Sequence, residues 1–375
     1  MGNMTKNRGD YFIIAVTMFL ILVGILFIYS SSGPFCKFMN PPKPTWYFLF
    51  KQSFWALIAI LIMFFLYRLD YELIVKISPA IMILSIILLV IVFPLSHAQI
   101  KRWIAVGGIS FQPSEFYKLA LIAFLARVAG KNEKRYGYKR YMPAVLLVLT
   151  GTSLVLLEPD LGTSALIMMT IAILLYLSGF KKRYLLVLPT IGILAAVIMV
   201  FALGYEKDRI DSYATTLNDP FDSASNYQTR QSLVSVGSGG LLGKGLANGG
   251  QKHLFLPERH TDFILSAAAE EGGFLLVTFI FFLFGLFGYT AYRIAVNAPT
   301  IEGAMLVWGV SLIILAQASI NIGVALGLLP VTGMTLPFVS YGGSSLISCS
   351  MGVGMIASVA RRSRSPRRYF KRSRA

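Results

Sequence analysis

Residues 11–31 read YFIIAVTMFLILVGILFIYSS, an unbroken apolar run without one charged side chain. A helix needs about 20 such residues to cross the hydrocarbon core of a bilayer. Backbone groups cannot remain unpaired in lipid, so the run must be helical. Because it is long and further apolar runs follow it, we expect a retained signal anchor and not a cleaved signal peptide.

The composition extends this pattern along the chain. Of 375 residues, 56% are hydrophobic and 14% are charged, with a mean hydropathy of +0.68, whereas soluble domains carry roughly a quarter charged residues. The short alternating segments of a β-barrel are missing. We predict an all-α polytopic membrane protein with ten transmembrane helices and a large extracytoplasmic loop between helices 7 and 8. The candidate spans are residues 11–31, 48–67, 73–95, 114–130, 142–157, 161–179, 184–204, 263–290, 301–327 and 338–360.

Basic residues predict the orientation, because lysine and arginine are enriched in cytoplasmic loops. They concentrate in residues 127–140, in residues 181–183 and in the tail 361–375, which fall on one side of a ten-span protein. We therefore expect a single membrane domain over residues 1–375 with both termini in the cytoplasm. The loops expected to face outward are 96–113, 158–160, 205–262 and 328–337, with Lys37, Lys43 and Lys51 as a mild exception to the charge rule.

The formal net charge of +17 and the tail sequence SRSPRRYFKRSR (363–374) resemble those of RNA-binding proteins. The excess of basic residues on the cytoplasmic side accounts for the same charge, and basic segments beside a membrane also attract anionic lipid. We therefore predict no nucleic-acid partner.

Residues 228–271 are the large exception to the apolar pattern, since they are polar, glycine-rich and charged. Residues 236–251 contain seven glycines, but their spacing fits neither a phosphate-binding loop nor a dinucleotide-binding turn. Two interpretations stay open. The tract is a flexible outer loop, or its backbone packs closely against the membrane surface or a lipid-linked substrate.

Asp262 ends this stretch, directly before an apolar helix. Thr261 or Asp262 would make a good N-cap for that helix, and a carboxylate there is also a candidate general base. The two roles are compatible. His260 is a second candidate acid or base, although a lone histidine in a loop is usually solvated.

Other ionisable side chains lie at the ends of predicted spans, where charge is costly unless it is paired or lines a cavity. Glu115 and Lys118 are three residues apart, which places them on one helix face. Glu158 and Asp160 share an outer turn, and Arg102 lies on the preceding outer loop. These residues either pair internally and stabilise the bundle or line an outward-facing polar cleft.

Five segments together resemble the signature blocks of one family. They are RWIAVGGISFQPSEFYK (102–118), EPDLGTS (158–164), QSLVSVGSGGLLGKG (231–245), LPERHTDF (256–263) and INIGVALGLLPVTGMTLPFVSYGGSSL (320–346). The family is that of the SEDS proteins (shape, elongation, division and sporulation), which include the RodA, FtsW and SpoVE proteins. The resemblance runs from Tyr11 to Arg361, with the blocks in the expected order.

The resemblance implies a peptidoglycan glycosyltransferase that polymerises lipid II at the outer face of the bacterial cytoplasmic membrane, for cell division or elongation. It implies that Asp262 of the HTDF motif is the catalytic residue, within a catalytic loop over residues 205–262. Residues that match the other motifs are expected to bind substrate. They are Arg102, Trp103, Glu115, Lys118, Glu158, Asp160, His260, Ser340, Ser344 and Ser345.

The implied reaction requires a base for the acceptor hydroxyl and cationic groups for the departing diphosphate. Arg102 and Lys118 are the candidate cations, and a divalent cation (Mg2+ or Mn2+) is a further candidate without a recognisable ligand cluster. The expected partner is a class B penicillin-binding protein, a transpeptidase, together with other divisome or elongasome membrane proteins. A lipid II flippase is the alternative function, and a scaffold that recruits a transpeptidase is a third.

Overall fold

The computed structural model describes residues 9–95, 102–106, 109–131, 142–158, 160–180, 192, 204, 211–214, 227–246, 248–249 and 258–364. Two short strands, β1 (Ile104–Val106) and β2 (Ile109–Phe111), accompany a set of helices. The helices are α1 (Gly9–Phe38), α2 (Tyr47–Arg68), α3 (Tyr71–Leu95), α4 (Pro113–Lys131), α5 (Met142–Leu157), α6 (Leu161–Leu177), α7 (Tyr227–Ser238), α8 (Ile264–Val296), α9 (Ile301–Ala325) and α10 (Gly343–Ser363).

Six helices of the described chain are long and apolar enough to cross a membrane, namely α1, α2, α3, α8, α9 and α10. Two more, α5 and α6, are apolar but shorter. The protein is therefore an all-α multi-pass membrane protein, as predicted. Each predicted span corresponds to one of these helices or to α4, except the seventh (184–204), which lies almost entirely outside the described residues. Residues 132–141 and 181–183 and the tail beyond Arg364 also lie outside them.

α10 lies in the interior of the bundle. In its most apolar stretch 83% of the residues are buried, whereas in that of α2 only 22% are. Small residues allow this, because membrane helices approach closely where side chains are small. A Cβ added at Gly354 would lie only 2.6 Å from the main-chain oxygen of Met63 in α2. The hydroxyl of Ser348 donates to the main-chain oxygen of Glu115 at 2.8 Å, which fixes α4 against α10.

α8 is broken at Gly273, whose φ of 68° and ψ of −169° are not helical. A break leaves carbonyl groups unpaired on one side and N–H groups unpaired on the other. Residues 239–245, here called the glycine segment, supply the missing partners. Its residues 244 and 245 donate backbone N–H groups to the oxygens of residues 270 and 271, both at 3.0 Å, and its residues 240 and 241 accept from residues 274 and 275 at 2.9 and 3.2 Å.

The glycine segment needs glycine for two reasons. Gly243 has a φ of 80°, in the left-handed region that other residues avoid. A Cβ added there would lie 2.2 Å from the main-chain oxygen of Glu271. The glycine segment therefore packs closely against the backbone of α8, a surface that neither interpretation of the sequence named.

The β-hairpin was not predicted. β1 and β2 pair antiparallel, with Val106 opposite Ile109. The residues between them in the sequence are Gly107 and Gly108, and a Gly-Gly pair between apolar residues is a signal for a two-residue hairpin. The hairpin leads directly into α4, which begins at Pro113.

α7 was also not predicted, because its sequence is polar and carries no long apolar run. Its buried face consists of small hydroxyl residues, Thr229, Ser232 and Ser235. The hydroxyl of Ser232 bonds to the hydroxyl of Ser266 in α8 and donates to the main-chain oxygen of Ala325 in α9, both at 2.6 Å. α7 is thus held against α8 and α9 by hydrogen bonds.

Candidate active site

A cavity of about 310 Å3 lies where four separate loops meet. Four of the loops predicted to face outward contribute to its wall: Arg102 from loop 96–113, Asp160 from 158–160, Asp262 from 205–262 and Gly333 from 328–337. The start of α10 completes the wall with Gly343 and Ser345. The polar cleft expected from the sequence is therefore present as one cavity.

Six of the residues expected to act on substrate line this cavity. They are Arg102, Trp103, Glu115, Asp160, Asp262 and Ser345. The other five do not line it. They are Lys118, Glu158, His260, Ser340 and Ser344.

Asp262 and Arg102 both lie beside Gly333. A Cβ added at Gly333 would lie 3.9 Å from Arg102 Nη1 and 4.0 Å from Asp262 Oδ2. A carboxylate and a guanidinium thus flank the same small space, which glycine leaves open. This is the pairing of a candidate base with a candidate cation that the sequence suggested.

The turn that carries Asp262 has its own hydrogen-bonded structure. The backbone N–H groups of Thr261 and Phe263 both donate to the main-chain oxygen of Glu258, at 3.1 and 3.2 Å. α8 begins at Ile264 with Phe263 in the N-cap position and no side-chain cap. The expectation that Thr261 or Asp262 caps α8 is therefore wrong. The Thr261 hydroxyl instead donates to the carboxylate of Glu258 at 2.8 Å.

Two polar residues from other elements hold this turn in place. Asn321 in α9 donates from Nδ2 to the main-chain oxygen of Asp262 and to that of Met334, both at 2.8 Å. The Ser340 hydroxyl donates to the main-chain oxygen of Thr261 at 2.6 Å. Ser340 therefore positions the residue next to Asp262, although it is outside the cavity.

Arg102 is anchored by the turn between α5 and α6. Its Nε donates to the main-chain oxygen of Glu158 at 3.1 Å, and its Nη1 lies 3.9 Å from Asp160 Oδ2. Asp160 also caps α6, because its Oδ1 accepts from the N–H of Thr163 at 3.1 Å. Among the described residues neither carboxylate oxygen of Glu158 has a hydrogen-bond partner. Burial, and next the charge of Asp160, raise the pKa of Glu158 to about 8.

Lys118 does not face the cavity, contrary to what we expected. It is 2% exposed and donates from Nζ to Glu115 Oε1 and to Gln317 Oε1, both at 2.9 Å. Glu115 and Gln317 do line the cavity. Lys118 therefore orders the cavity wall from behind, through the pairing with Glu115 that the three-residue spacing indicated.

His260 and Ser344 make structural contacts. The His260 ring lies among aromatic side chains, with centroids 4.9 Å from Phe48 and 5.5 Å from Phe35. Burial lowers the pKa of His260 below its ordinary value. The Ser344 hydroxyl accepts from the N–H of Gln112 at 3.1 Å and ties α10 to the segment that follows the hairpin.

Several residues of the site were not predicted from the sequence. Gln317 and Asn321 lie four residues apart on α9, an otherwise apolar span, and polar residues in such spans usually have a partner or line a cavity. That signal was available and would have found both. Thr335, whose main-chain oxygen accepts from Gln317 at 3.0 Å, and Trp55, which lines the cavity, gave no such signal.

Comparison with known proteins extends over nearly the whole chain. The family model FtsW/RodA/SpoVE, described as "Cell cycle protein", matches residues 10–365. Stage V sporulation protein E of Bacillus subtilis (strain 168) is 36% identical over 365 residues, covering 96% of this chain and 99% of that protein. The probable peptidoglycan glycosyltransferase FtsW of Geobacter sulfurreducens (strain DL-1 / KN400) is 33% identical over 364 residues, covering 95% and 96%.

Solved structures agree with the fold. A structure on the coordination of polymerization and crosslinking by a peptidoglycan synthase complex matches with a TM-score of 0.74 at 26% identity, covering 94% of this chain and 98% of that one. The crystal structure of the rod shape determining protein RodA from Thermus thermophilus matches with a TM-score of 0.68 at 26% identity, covering 96% and 98%. With signature blocks, fold and relatives all in agreement, the chain belongs to the FtsW, RodA and SpoVE family of multi-pass membrane proteins.

Proposed function

We propose that the protein is a peptidoglycan glycosyltransferase that polymerises lipid II into glycan strands at the outer face of the bacterial cytoplasmic membrane. One observation carries the proposal: Asp262 Oδ2 and Arg102 Nη1 both lie within 4.0 Å of a Cβ added at Gly333, in a cavity that four loops form. Membership of the family supports it, as do relatives named probable peptidoglycan glycosyltransferases.

In the proposed reaction the 4-hydroxyl oxygen of the acceptor attacks the anomeric carbon of the growing chain and inverts its configuration. The bond from that carbon to undecaprenyl diphosphate breaks, and the diphosphate leaves with the electron pair. Asp262 takes the hydroxyl proton as general base. Arg102 stabilises the charge that develops on the diphosphate, a role for which a guanidinium is suited by its paired donors.

The remaining residues of the site divide into two groups in this proposal. Trp103, Glu115, Asp160 and Ser345 contact substrate, because they line the cavity. The other five act through hydrogen bonds and packing behind its wall. They are Lys118, Glu158, His260, Ser340 and Ser344.

We also propose that a divalent cation, Mg2+ or Mn2+, binds together with substrate. Carboxylates of Glu115, Asp160, Glu258 and Asp262 line the cavity, and hard cations prefer oxygen ligands. In the described part of the chain, however, no three His, Cys, Asp or Glu side chains form a metal-binding group. Substrate diphosphate would have to supply further ligands. We therefore expect the cation to bind only together with substrate, and a chelator to lower the rate of polymerisation.

The proposed topology is a single domain over residues 1–375 with both termini in the cytoplasm, a catalytic loop over residues 205–262 and a basic tail over residues 361–375. The meeting of the four outward loops at one cavity supports it. α10 starts at that cavity and ends at Ser363 beside the basic residues of the tail. The start of α10 therefore lies on the side that the charge rule predicts to be outside, and its end lies on the side predicted to be cytoplasmic.

We propose a class B penicillin-binding protein as partner, beside other divisome or elongasome membrane proteins, and no nucleic acid. The similar solved complex coordinates polymerization with crosslinking. α8 presents a strongly apolar outer face, on which Phe274 and Phe282 are both 61% exposed. The single membrane helix of a transpeptidase would fit such a face, which the membrane lipid would otherwise cover.

Polymerisation of lipid II by the purified protein, with and without its partner, tests the proposed function. Asp262→Asn keeps the size of the side chain but removes the base, so we expect a loss of about 10²–10⁴ in rate. The matched control is Asp70→Asn, since Asp70 pairs with Arg362 at 3.8 Å, far from the cavity. A flipping assay in liposomes runs in parallel. Flipping of lipid II by a parent protein that does not polymerise it would replace the glycosyltransferase with the flippase, and polymerisation by Asp262→Asn at the parent rate would remove the role of Asp262 as general base.

A further inference from the structure

The glycine segment carries two consecutive leucines, Leu241 and Leu242, in a tight turn. They are 70% and 78% exposed, more than any other large apolar side chain among the described residues. The turn is closed by a hydrogen bond from the N–H of Gly243 to the main-chain oxygen of Gly239 at 2.8 Å. Turns in water favour glycine, proline, asparagine, aspartate and serine. Two exposed leucines in a turn therefore indicate apolar surroundings that the described part of the chain does not supply.

The backbone of this turn is bound to α8, a helix long and apolar enough to cross the membrane. The main-chain oxygens of residues 240 and 241 accept from the N–H groups of Phe274 and Leu275, at 2.9 and 3.2 Å. Phe274 and Leu275 are the first residues after the break in α8, and they are 61% and 58% exposed. The two pairs of exposed apolar residues are therefore neighbours, one pair on the turn and one on the membrane helix.

The length of α8 gives the depth of the turn in the membrane. At the other end of the helix Tyr289 and Tyr292 are 59% and 52% exposed, and the guanidinium of Arg293 lies 5.9 Å from the Tyr289 ring. Exposed tyrosines at the end of a span are typical of the boundary between lipid and water. Gly273 lies about 28 Å from Tyr292 along the helix, and a hydrocarbon core is about 30 Å thick. Gly273 and the turn bound beside it therefore lie at the opposite boundary, on the side of the candidate active site.

The glycine segment has an apolar end and a charged end relative to the break. Residues 240 and 241 bond to residues 274 and 275, on the side that leads across the membrane, whereas residues 244 and 245 bond to residues 270 and 271, on the other side. Lys244 pairs with Glu270 at 2.8 Å and keeps 39% of its side chain exposed. Charge at a membrane boundary is paired or faces water, while apolar groups face the lipid. The segment therefore directs its leucines towards the hydrocarbon and its lysine towards water.

We propose that the glycine segment is a lipid-binding anchor, with Leu241 and Leu242 inserted among the acyl chains of the bilayer. The leaflet is the one on the side of the candidate active site, which is the outer leaflet in the proposed topology. Apolar side chains at an interface insert in this way, about 5–10 Å into the boundary between headgroups and acyl chains. The anchor fixes the loop that carries Asp262 to the membrane surface. It does not depend on the proposed function, because lipid contact can be measured without polymerisation.

Spin labels on the full-length protein in phosphatidylethanolamine and phosphatidylglycerol liposomes measure the contact. Cys36 and Cys349 are free and buried, so alanine replaces both, and Leu242→Cys then carries the only label. Its collisions with oxygen, which dissolves in lipid, should exceed those with a water-soluble nickel chelate. Phe282→Cys is the reference for lipid, since Phe282 is 61% exposed on the membrane helix. Asn248→Cys is the reference for water, since Asn248 is an exposed polar residue of the same loop.

Hydrogen exchange in the same liposomes measures what the contact stabilises. In Leu241→Ser/Leu242→Ser the amides of Lys244 and Gly245, which bond to α8, should exchange about tenfold faster than in the parent, because burial of one leucine side chain is worth at least a factor of ten. Leu328→Ser is the matched control. It replaces a leucine that is 66% exposed in another loop, and it should leave exchange at both amides unchanged.

A label at Leu242 whose collisions resemble those at Asn248 more than those at Phe282 would overturn the inference. Parental exchange at Lys244 and Gly245 in the double serine variant would overturn it as well. Both measurements are repeated with the transpeptidase present. A label that is in water without the transpeptidase and shielded from both reagents with it would make the leucines a protein contact and not a lipid anchor. If the double variant does not fold, Leu242→Ser alone and the spin label decide between these outcomes.

Discussion

At the scale of single residues, Asp262 and Arg102 come from different loops, and each lies within 4.0 Å of a Cβ added at Gly333. Motif resemblance was enough to name both. It could not show that Lys118 lies behind the cavity wall, because the spacing that pairs it with Glu115 does not say which side chain reaches the cavity. Whether a charged side chain faces a cleft or its wall depends on packing from another helix, here Gln317 of α9.

Gly333→Ala should lower activity more than its strain explains. Gly333 has a φ of 74°, and a Cβ there would lie 3.9 Å from Arg102 Nη1 and 4.0 Å from Asp262 Oδ2, where it would take up room at the candidate site. Gly179→Ala is the matched control, because Gly179 has a φ of 81° with nothing within 4 Å. Both changes should cost about 1 kcal/mol of stability. Only Gly333→Ala should raise the KM for lipid II. An equal KM for the Gly333→Ala and Gly179→Ala variants would contradict the proposal that substrate binds beside Gly333.

The carboxyl of Glu158 should make stability depend on pH. Its pKa is raised from 4.5 to about 8 in the folded protein, so between these values the folded state holds a proton that the unfolded state has lost. Stability therefore falls as pH rises from 4.5 to 8 and levels off above it. Glu158→Gln should remove this term, so its Tm relative to the parent should increase with pH across that window. Glu72→Gln, on a partly exposed side chain, is the control, and parallel Tm curves for Glu158→Gln and parent would contradict the buried carboxyl.

At the scale of elements, apolar length predicted most helices well, because each span must satisfy its own backbone in lipid. It could not find α7, whose stability comes from hydroxyl contacts with α8 and α9. Apolar length also predicted α8 as one continuous span, since a glycine inside an apolar run does not reveal a break. The break becomes visible only when the glycine segment is seen to bind both of its ends.

Gly243→Ala should weaken the fold more than Gly240→Ala. Both glycines have positive φ, 80° and 56°, so both variants carry the strain of a left-handed residue, about 1–2 kcal/mol. The added Cβ at Gly243 would meet Glu271 O at 2.2 Å, whereas that at Gly240 meets nothing within 4 Å. Thermal unfolding in detergent measures the difference. A Tm for Gly243→Ala at or above that of Gly240→Ala would argue against tight packing of the glycine segment on α8.

At the scale of the whole molecule, the bundle leaves its apolar surface uneven. α10 is largely enclosed, while α8 exposes aromatic side chains along its length. The number and class of spans could be predicted from composition, because lipid imposes length and polarity on each helix. The faces by which the helices contact each other or a partner could not be predicted, because inward-facing and lipid-facing residues are equally apolar.

A partner helix should crosslink to α8. Single cysteines introduced at Phe274, Phe282 and Tyr289, which are 59–61% exposed, should form disulfides with cysteines along the membrane helix of the transpeptidase. Phe284 and Phe287 are buried and serve as controls, at 5% and 0% exposure, where no crosslink should form. Efficient crosslinks to α1, α2 or α3 alone would place the partner on another side of the bundle.

The break in α8 also bears on how the chain enters the membrane. A continuous helix over Ile264–Val296 would be about 50 Å long, well beyond the roughly 30 Å of a hydrocarbon core. The half that follows Gly273 is about 35 Å long, so it alone suffices as the inserting segment. The shorter part before Gly273 carries Glu270 and Glu271, so these two charged residues lie outside the inserting segment. The glycine segment precedes α8 in the chain, so the ribosome synthesises it first. Its backbone N–H and C=O groups are therefore available when the break at Gly273 enters the membrane, and they can pair with the backbone groups of α8 there.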